Sequence, residues 1–114
     1  MTPDQARAAY RREIKRVGEL VTVRRVTGGG EIAAQTWARV MGYRPDELVG
    51  GITQGSRKII LLPDGLETAG WPIPIVRGDE VVVRGKTLIV DLVDDSTRRI
   101  AGELIAYELT AKGS

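Results

Sequence analysis

The apolar positions of this chain change period near residue 18. Before it, Ala6, Tyr10, Ile14 and Val17 recur three or four residues apart, which is one stripe of a helix. Thr2-Pro3-Asp4-Gln5 supplies the start. Thr2 caps, Pro3 suits the first helical position, and Gln5 sits where a capping box wants Glu or Gln. Gly18 suits the position just past the last turn. The pattern predicts an amphipathic helix over 3–17, with Arg7, Arg11 and Lys15 along a basic outer side.

After Gly18 the period falls to two. In 19–26, Leu20, Thr22, Arg24 and Val26 share one face, and Val21, Val23 and Arg25 the other. A second strand is predicted over 35–43, with Thr36, Ala38, Val40 and Gly42 facing one way and Trp37, Arg39, Met41 and Tyr43 the other. A third covers 56–62 and is stopped by Pro63-Asp64-Gly65; residues 66–70 read as a connector. Trp71-Pro72-Ile73-Pro74 lacks two backbone donors, so it is extended edge or polyproline-like backbone. The densest β-branched stretch runs from Ile75 to Leu109. It predicts a meander of strands over 79–84, 87–93 and 99–109, with turns at Gly85-Lys86 and at 94–97. Residues 111–114 are expected as a frayed tail.

Two polar stretches interrupt the pattern. Thr27–Ala34 holds Gly28, Gly29 and Gly30, whose ordering cost is high. Arg44–Gly55 holds Pro45, Gly50 and Gly51. Both are expected as long flexible loops, and a loop of that length in a small domain usually serves a function. The fold class that follows is mainly β. It is a small antiparallel β-barrel or rolled sandwich of about six strands, one N-terminal α-helix and two long flexible loops, in a single domain over 1–114.

Composition narrows the chemistry. The chain has no Cys and no His, so disulfides, thiolate chemistry and the commonest general base are absent. Asp91, Asp94 and Asp95 hint at a metal, but Asp94 and Asp95 are also preferred turn residues. No catalytic, cofactor-binding or metal-binding set emerges, and an enzyme is not expected. The triple glycine lacks the following Lys-Ser/Thr of a phosphate-binding loop. The formal charge is only +2, which argues against a dedicated nucleic-acid binder. The stripe of Arg7, Arg11, Arg12, Lys15 and Arg16 suits phosphates or plain solvation. Arg57-Lys58 and Arg98-Arg99 suit protected strand edges. Trp37 and Trp71 suit base stacking or packing. No apolar run is long enough to span a bilayer, and the N-terminus lacks the apolar core of a signal peptide, so synthesis in a cytoplasm is expected.

The flexible loops and strand backbone point to docking into a larger assembly by loop ordering and strand addition. The order of elements also resembles a family. A short helix, a strand, a flexible loop and then a β core ending in Arg77-Gly78-Asp79-Glu80-Val81-Val82-Val83, with a further strand and a terminal strand, is similar to the head–tail joining proteins of long-tailed phages. These are head-closure, stopper or neck proteins, the lambda-type connector among them. The resemblance implies a structural role in a virion, with host cytoplasm as the site before assembly. It implies monomers when free, which form a ring with the portal and tail proteins as neighbours, genomic DNA passing through, and no cofactor or membrane. Gly28, Gly29, Gly30, Pro45, Gly50 and Gly51 become assembly segments, and Arg7, Arg11 and Lys15 a face toward a neighbour or the channel. Two other readings stay open: a small OB-like nucleic-acid-binding module, and a ligand-binding barrel or small enzyme.

Overall fold

The computed structural model describes residues 2–42, 55–72, 74–94 and 98–113. Helix α1 (Pro3–Val17) leads into β1 (Glu19–Thr27), β2 (Gly30–Gly42), β3 (Ser56–Leu61) and a short helix α2 (Asp64–Thr68). Then come β4 (Glu80–Val83), β5 (Lys86–Asp94), the two-residue strands β6 (Arg99–Ile100) and β7 (Glu103–Leu104), and β8 (Tyr107–Gly113). Six of these strands close into a barrel in the order β1-β2-β3-β8-β5-β4, with β4 returning to β1. Every ladder in it is antiparallel. The mainly β class and the N-terminal helix are as the sequence predicts, and closure makes the fold a barrel rather than a sandwich. Closure also removes the bare strand edges an open sheet would present.

The alternation of each strand decides what fills the barrel. Val21 and Val23 of β1 point inward, as do Ala34 and Ala38 of β2. Ile59 and Leu61, Val81 and Val83, and Leu109 and Ala111 complete the walls. Small residues on β2 oppose branched ones elsewhere, so the layers interdigitate without strain. Leu66, Trp71, Ile75 and Tyr107 close the core at the end where β3 finishes. Burying one such aliphatic side chain contributes about 1.5–3 kcal/mol.

Helix α1 starts with the expected capping box. Thr2 Oγ1 accepts from Gln5 N–H at 3.1 Å, and Gln5 Oε1 accepts from Thr2 N–H at 2.9 Å. Ala6 and Ile14 are buried, and the helix lies outside the barrel against β2 and β6. Its end is not the left-handed stop that the glycine suggests: Gly18 has φ −102° and ψ −164°. Glycine fits here for a different reason. A Cβ would collide with the carbonyl oxygens of Ala38 and Ile14.

Several expected boundaries move. Residues 27–34 are not a flexible loop. The β1–β2 ladder runs out to Thr27 opposite Gly30, leaving Gly28-Gly29 as a two-residue hairpin turn. Ladder hydrogen bonds through 31–34 outweigh the entropic cost of ordering the glycines. The next hairpin turns at Arg84-Gly85, one residue earlier than expected. Val83 pairs with Lys86, and both turn residues have positive φ, 50° and 79°. Residues 64–68 form α2 rather than a plain connector. The expected strand over 99–109 is divided. Ala101-Gly102 turns back with φ 52° and 80°, pairing β6 with β7 apart from the barrel, and β8 begins at Tyr107. Residues 111–113 are not frayed, since β8 is laddered to both β3 and β5 and Ala111 is buried. The loop expected at 44–55 lies outside the described residues, apart from Gly55.

α2 is fixed by close approach. Thr36 Oγ1 donates to the Leu62 carbonyl at 2.7 Å and accepts from Gly65 N–H at 3.3 Å. A Cβ on Gly65 would meet the Gln35 carbonyl oxygen inside contact distance and sit 2.6 Å from Thr36 Cβ. Gly65→Ala is therefore expected to destabilise the fold by about 1–3 kcal/mol. Gly28→Ala, with nothing within 4 Å, should stay within about 0.5 kcal/mol of the parent. Urea unfolding of both variants checks the contrast.

Candidate assembly site: an arm and a barrel mouth

The two ends of the barrel differ. At one end β1 and β2 continue past their neighbours. β1 pairs with β4 only from Thr22 to Arg24, and β2 meets β3 only from Ala38 onward. The ribbon over 25–33 therefore stands out as an arm. Its tip is slim, because Gly28, Gly29 and Gly30 have nothing within 4 Å of where a Cβ would be. Val26 is 66 % exposed and Ile32 39 %.

The base of the arm is held by two consecutive arginines. Arg24 Nε donates to Glu80 Oε1 at 2.7 Å on the outer face. Arg25 grips Asp79 with both prongs, Nε to Oδ1 at 2.8 Å and Nη2 to Oδ2 at 2.7 Å. The same guanidinium donates to the carbonyls of Pro72 at 3.2 Å and Pro74 at 3.0 Å, and lies 5.2 Å from the Trp71 ring centroid. Asp79 is 3 % exposed and also accepts from Val76 N–H at 2.9 Å. The hydrogen bond to Asp79 keeps the Arg25 pKa above its ordinary value, against the opposing pull of desolvation. Pro72 and Pro74 have no backbone N–H to donate, and their carbonyls here accept from the Arg25 cation.

At the other end the described residues surround a hollow between the ends of the strands. Val40, Val83 and Leu88 line a hollow of about 550 Å³ rimmed by Arg57, Arg84 and Lys86. Arg84 sits in the left-handed turn and is braced by Glu19 at 3.1 Å. That ion pair places the start of β1 at the mouth, while the end of β1 forms the arm.

The residues singled out in the sequence fall into separate places. Gly28, Gly29 and Gly30 make the arm tip. Pro45, Gly50 and Gly51 lie outside the described residues. Arg7 and Arg11 make ion pairs that dock α1 onto the rest of the chain. Arg7 pairs with Glu67, with Asp64 at 3.4 Å and with Glu103 at 3.7 Å, and Arg11 Nε reaches Asp64 Oδ2 at 2.8 Å. Arg16 pairs with Glu13. Lys15 is exposed and makes no ion pair among the described residues. Arg98 pins the helix to the barrel, donating to Tyr10 Oη and to Glu108 Oε1, each at 2.7 Å. Trp71 is core and Trp37 is half-buried on the outside of β2. Asp91 lies beside Arg77 at 3.6 Å and Lys112 at 3.3 Å. Among the described residues no three carboxylates gather as a metal site would need, and no helix is long and apolar enough to cross a membrane.

The mouth cations and the Arg25–Asp79 pair were not anticipated. The pair had a readable trace: Arg24-Arg25 ends one strand and Asp79-Glu80 begins another, cations against anions. The mouth had none, because only closure brings residues 40, 57, 84 and 88 together.

The fold defines a small antiparallel β-barrel protein with an N-terminal helix. No protein-family model, curated protein or solved structure matches the chain.

Removing Asp79 leaves Arg25 partly buried without its counter-charge. Asp79→Ala is expected to cost about 3 kcal/mol of stability. Val26→Ser, at an exposed position, should change stability by less than about 0.5 kcal/mol. Chemical denaturation followed by far-UV circular dichroism measures both.

Proposed function

We propose that this protein is a non-enzymatic component of a phage or prophage virion, joining head to tail as a head-closure or neck ring. Its neighbours in that reading are further copies of itself, the portal and the tail proteins, with genomic DNA passing through the ring. The observation that carries the reading is the arm. β1 and β2 run on beyond their neighbouring strands as a ribbon with a glycine tip, carrying Val26 on one face and Ile32 on the other, and a neighbouring subunit would bury both faces. The order of elements, a short helix followed by a valine-rich barrel, supports it further. In this reading the Gly28–Gly30 segment works as a preformed hairpin and not as a loop that orders late. Pro45, Gly50 and Gly51 belong to the assembly segments on the sequence pattern alone. Arg12 and Lys15, both exposed and without an ion pair among the described residues, are the parts of the basic helix stripe most open to a partner.

One observation favours a second reading, a small OB-like nucleic-acid-binding module. Arg57, Arg84 and Lys86 gather at one end of a closed barrel, where phosphates could be held.

Co-expression with the portal gene of its own genome separates the two. The assembly reading expects copurification with the portal and ring density beneath it in electron micrographs. Failure to associate, together with sub-micromolar binding to a labelled single-stranded oligonucleotide that weakens steeply with salt, would replace it with the second reading.

A further inference from the structure

We propose that the bare edge of β2 over 30–34 pairs antiparallel with the same edge of a second copy, with the two-fold axis beside Ile32. This pairing rests on the β1–β2 ribbon alone and is independent of the assembly reading. It replaces the monomer that the resemblance implies for the free protein.

The register fixes which backbone groups are available. β2 is laddered to β1 without a bulge from Ala38 out to Gly30. On its other side β3 joins only from Ala38, and the Leu62 N–H donates to the Trp37 carbonyl at 3.0 Å. Trp37 therefore turns its backbone groups away from β1. Antiparallel ladders alternate in this respect, so Gln35, Ala33 and Glu31 turn theirs the same way. α2 covers Gln35, since a Cβ on Gly65 would collide with its carbonyl oxygen. Among the described residues no strand is laddered to Ala33 or Glu31 on that side. Residues 30–33 are all exposed. The stretch has no Pro, Lys or bulge, the usual means of blunting an edge.

A second copy is the occupant because this stretch complements itself. The glycine tip bounds it at one end and α2 at the other, so its midpoint is Ile32. A two-fold axis there sets Ile32 against its own counterpart as a close pair, with Cα atoms about 4.5 Å apart. Ile32 is 39 % exposed in the single copy, and the contact takes both from water. Glu31 falls opposite Ala33 of the other copy, and each such pair exchanges two backbone hydrogen bonds. Gly30 falls opposite Ala34, so no bulky side chain stands in the way.

The charges on the outer face match as well. Arg24 lies beside Ala33 in the β1–β2 ladder. Glu31 of one copy therefore faces Ala33 of the other, with Arg24 one strand further on. Two strand spacings are about 10 Å, which a Glu and an Arg side chain span together across an alanine methyl. In the single copy Glu31 is half exposed and only loosely held, 3.9 Å from Arg24 Nε, whose closer partner is Glu80 at 2.7 Å. The symmetry forms the new pair twice. Carrying the register on sets Gly29 beside Gln35 of the other copy, where α2 abuts the strand. A tip without side chains clears that helix.

The chain has no cysteine, so an introduced thiol reports one contact cleanly. In the full-length protein, Ile32→Cys places a thiol on the two-fold axis. Oxidised glutathione should convert this variant to a covalent dimer, and nothing larger, on a non-reducing gel. Val26→Cys, at the more exposed position, should give about tenfold less dimer, because its Cα atoms lie too far apart to bridge. Sedimentation velocity of the parent should show dimer growing with concentration. Ala33→Pro removes an outward N–H without touching the β1 ladder, and should weaken the dimer at least about tenfold with unchanged circular dichroism. Val26→Pro makes the same change on the far edge of β1 and should leave the dimer as it is. An edge reserved for another protein's strand would leave the chain monomeric. A monomer at every concentration, equal cross-linking of the two cysteine variants, or indifference to Ala33→Pro overturns the pairing. A monomer that still copurifies with the portal leaves the assembly reading standing, whereas a dimer that ignores the portal overturns that reading and not this one.

Discussion

The barrel depends on its shortest seam. β1 and β4 share only three residue pairs, Thr22 to Arg24 against Glu80 to Val82. Three pairs of backbone are a weak closure for a sheet whose other ladders are longer. Two neighbouring ion pairs reinforce it, one on each face. Arg24 reaches Glu80 outside, and Arg25 reaches Asp79 inside. The inner pair is the more consequential, because Asp79 is buried and charge-assisted hydrogen bonds strengthen where water is excluded. It also gathers Pro72, Pro74 and Trp71 around one guanidinium. One side chain thereby closes the barrel, caps its end and sets the root of the arm.

Charge plays a second structural role at the helix. The basic stripe of α1 looks in the sequence like a surface for phosphates. In the fold Arg7 and Arg11 face the carboxylates of α2, and Glu103 of β7 joins them. Tyr10 receives Arg98 on the same helix. The helix is thus held by ionic contacts around a narrow buried stripe of Ala6 and Ile14.

Much of the fold was legible because it is local. The capping box, the switch from period four to period two, and the Val81–Leu92 hairpin are written within short windows. What was illegible depends on partners distant in sequence. The triple glycine reads as a loop until Val23 to Thr27 is seen to have enough partners beyond it to sustain a ladder. Gly18 and Gly65 read as a helix stop and a breaker, yet both are glycine because another backbone lies against them. The residues at 111–113 look terminal but are buried by β3 and β5. The mouth exists only once six strands have met.

The position of β8 has a consequence for synthesis. It is the last of the described strands in the chain, yet it lies between β3 and β5. While a ribosome is still making residues 107–113, both of those strands have a bare edge, and Ile59, Leu61 and Val90 lack their cover. The nascent barrel is therefore a sheet with two open, branched-aliphatic margins until its final strand emerges. Crowded polysomes making this protein are where it is most exposed to pairing with the wrong chain.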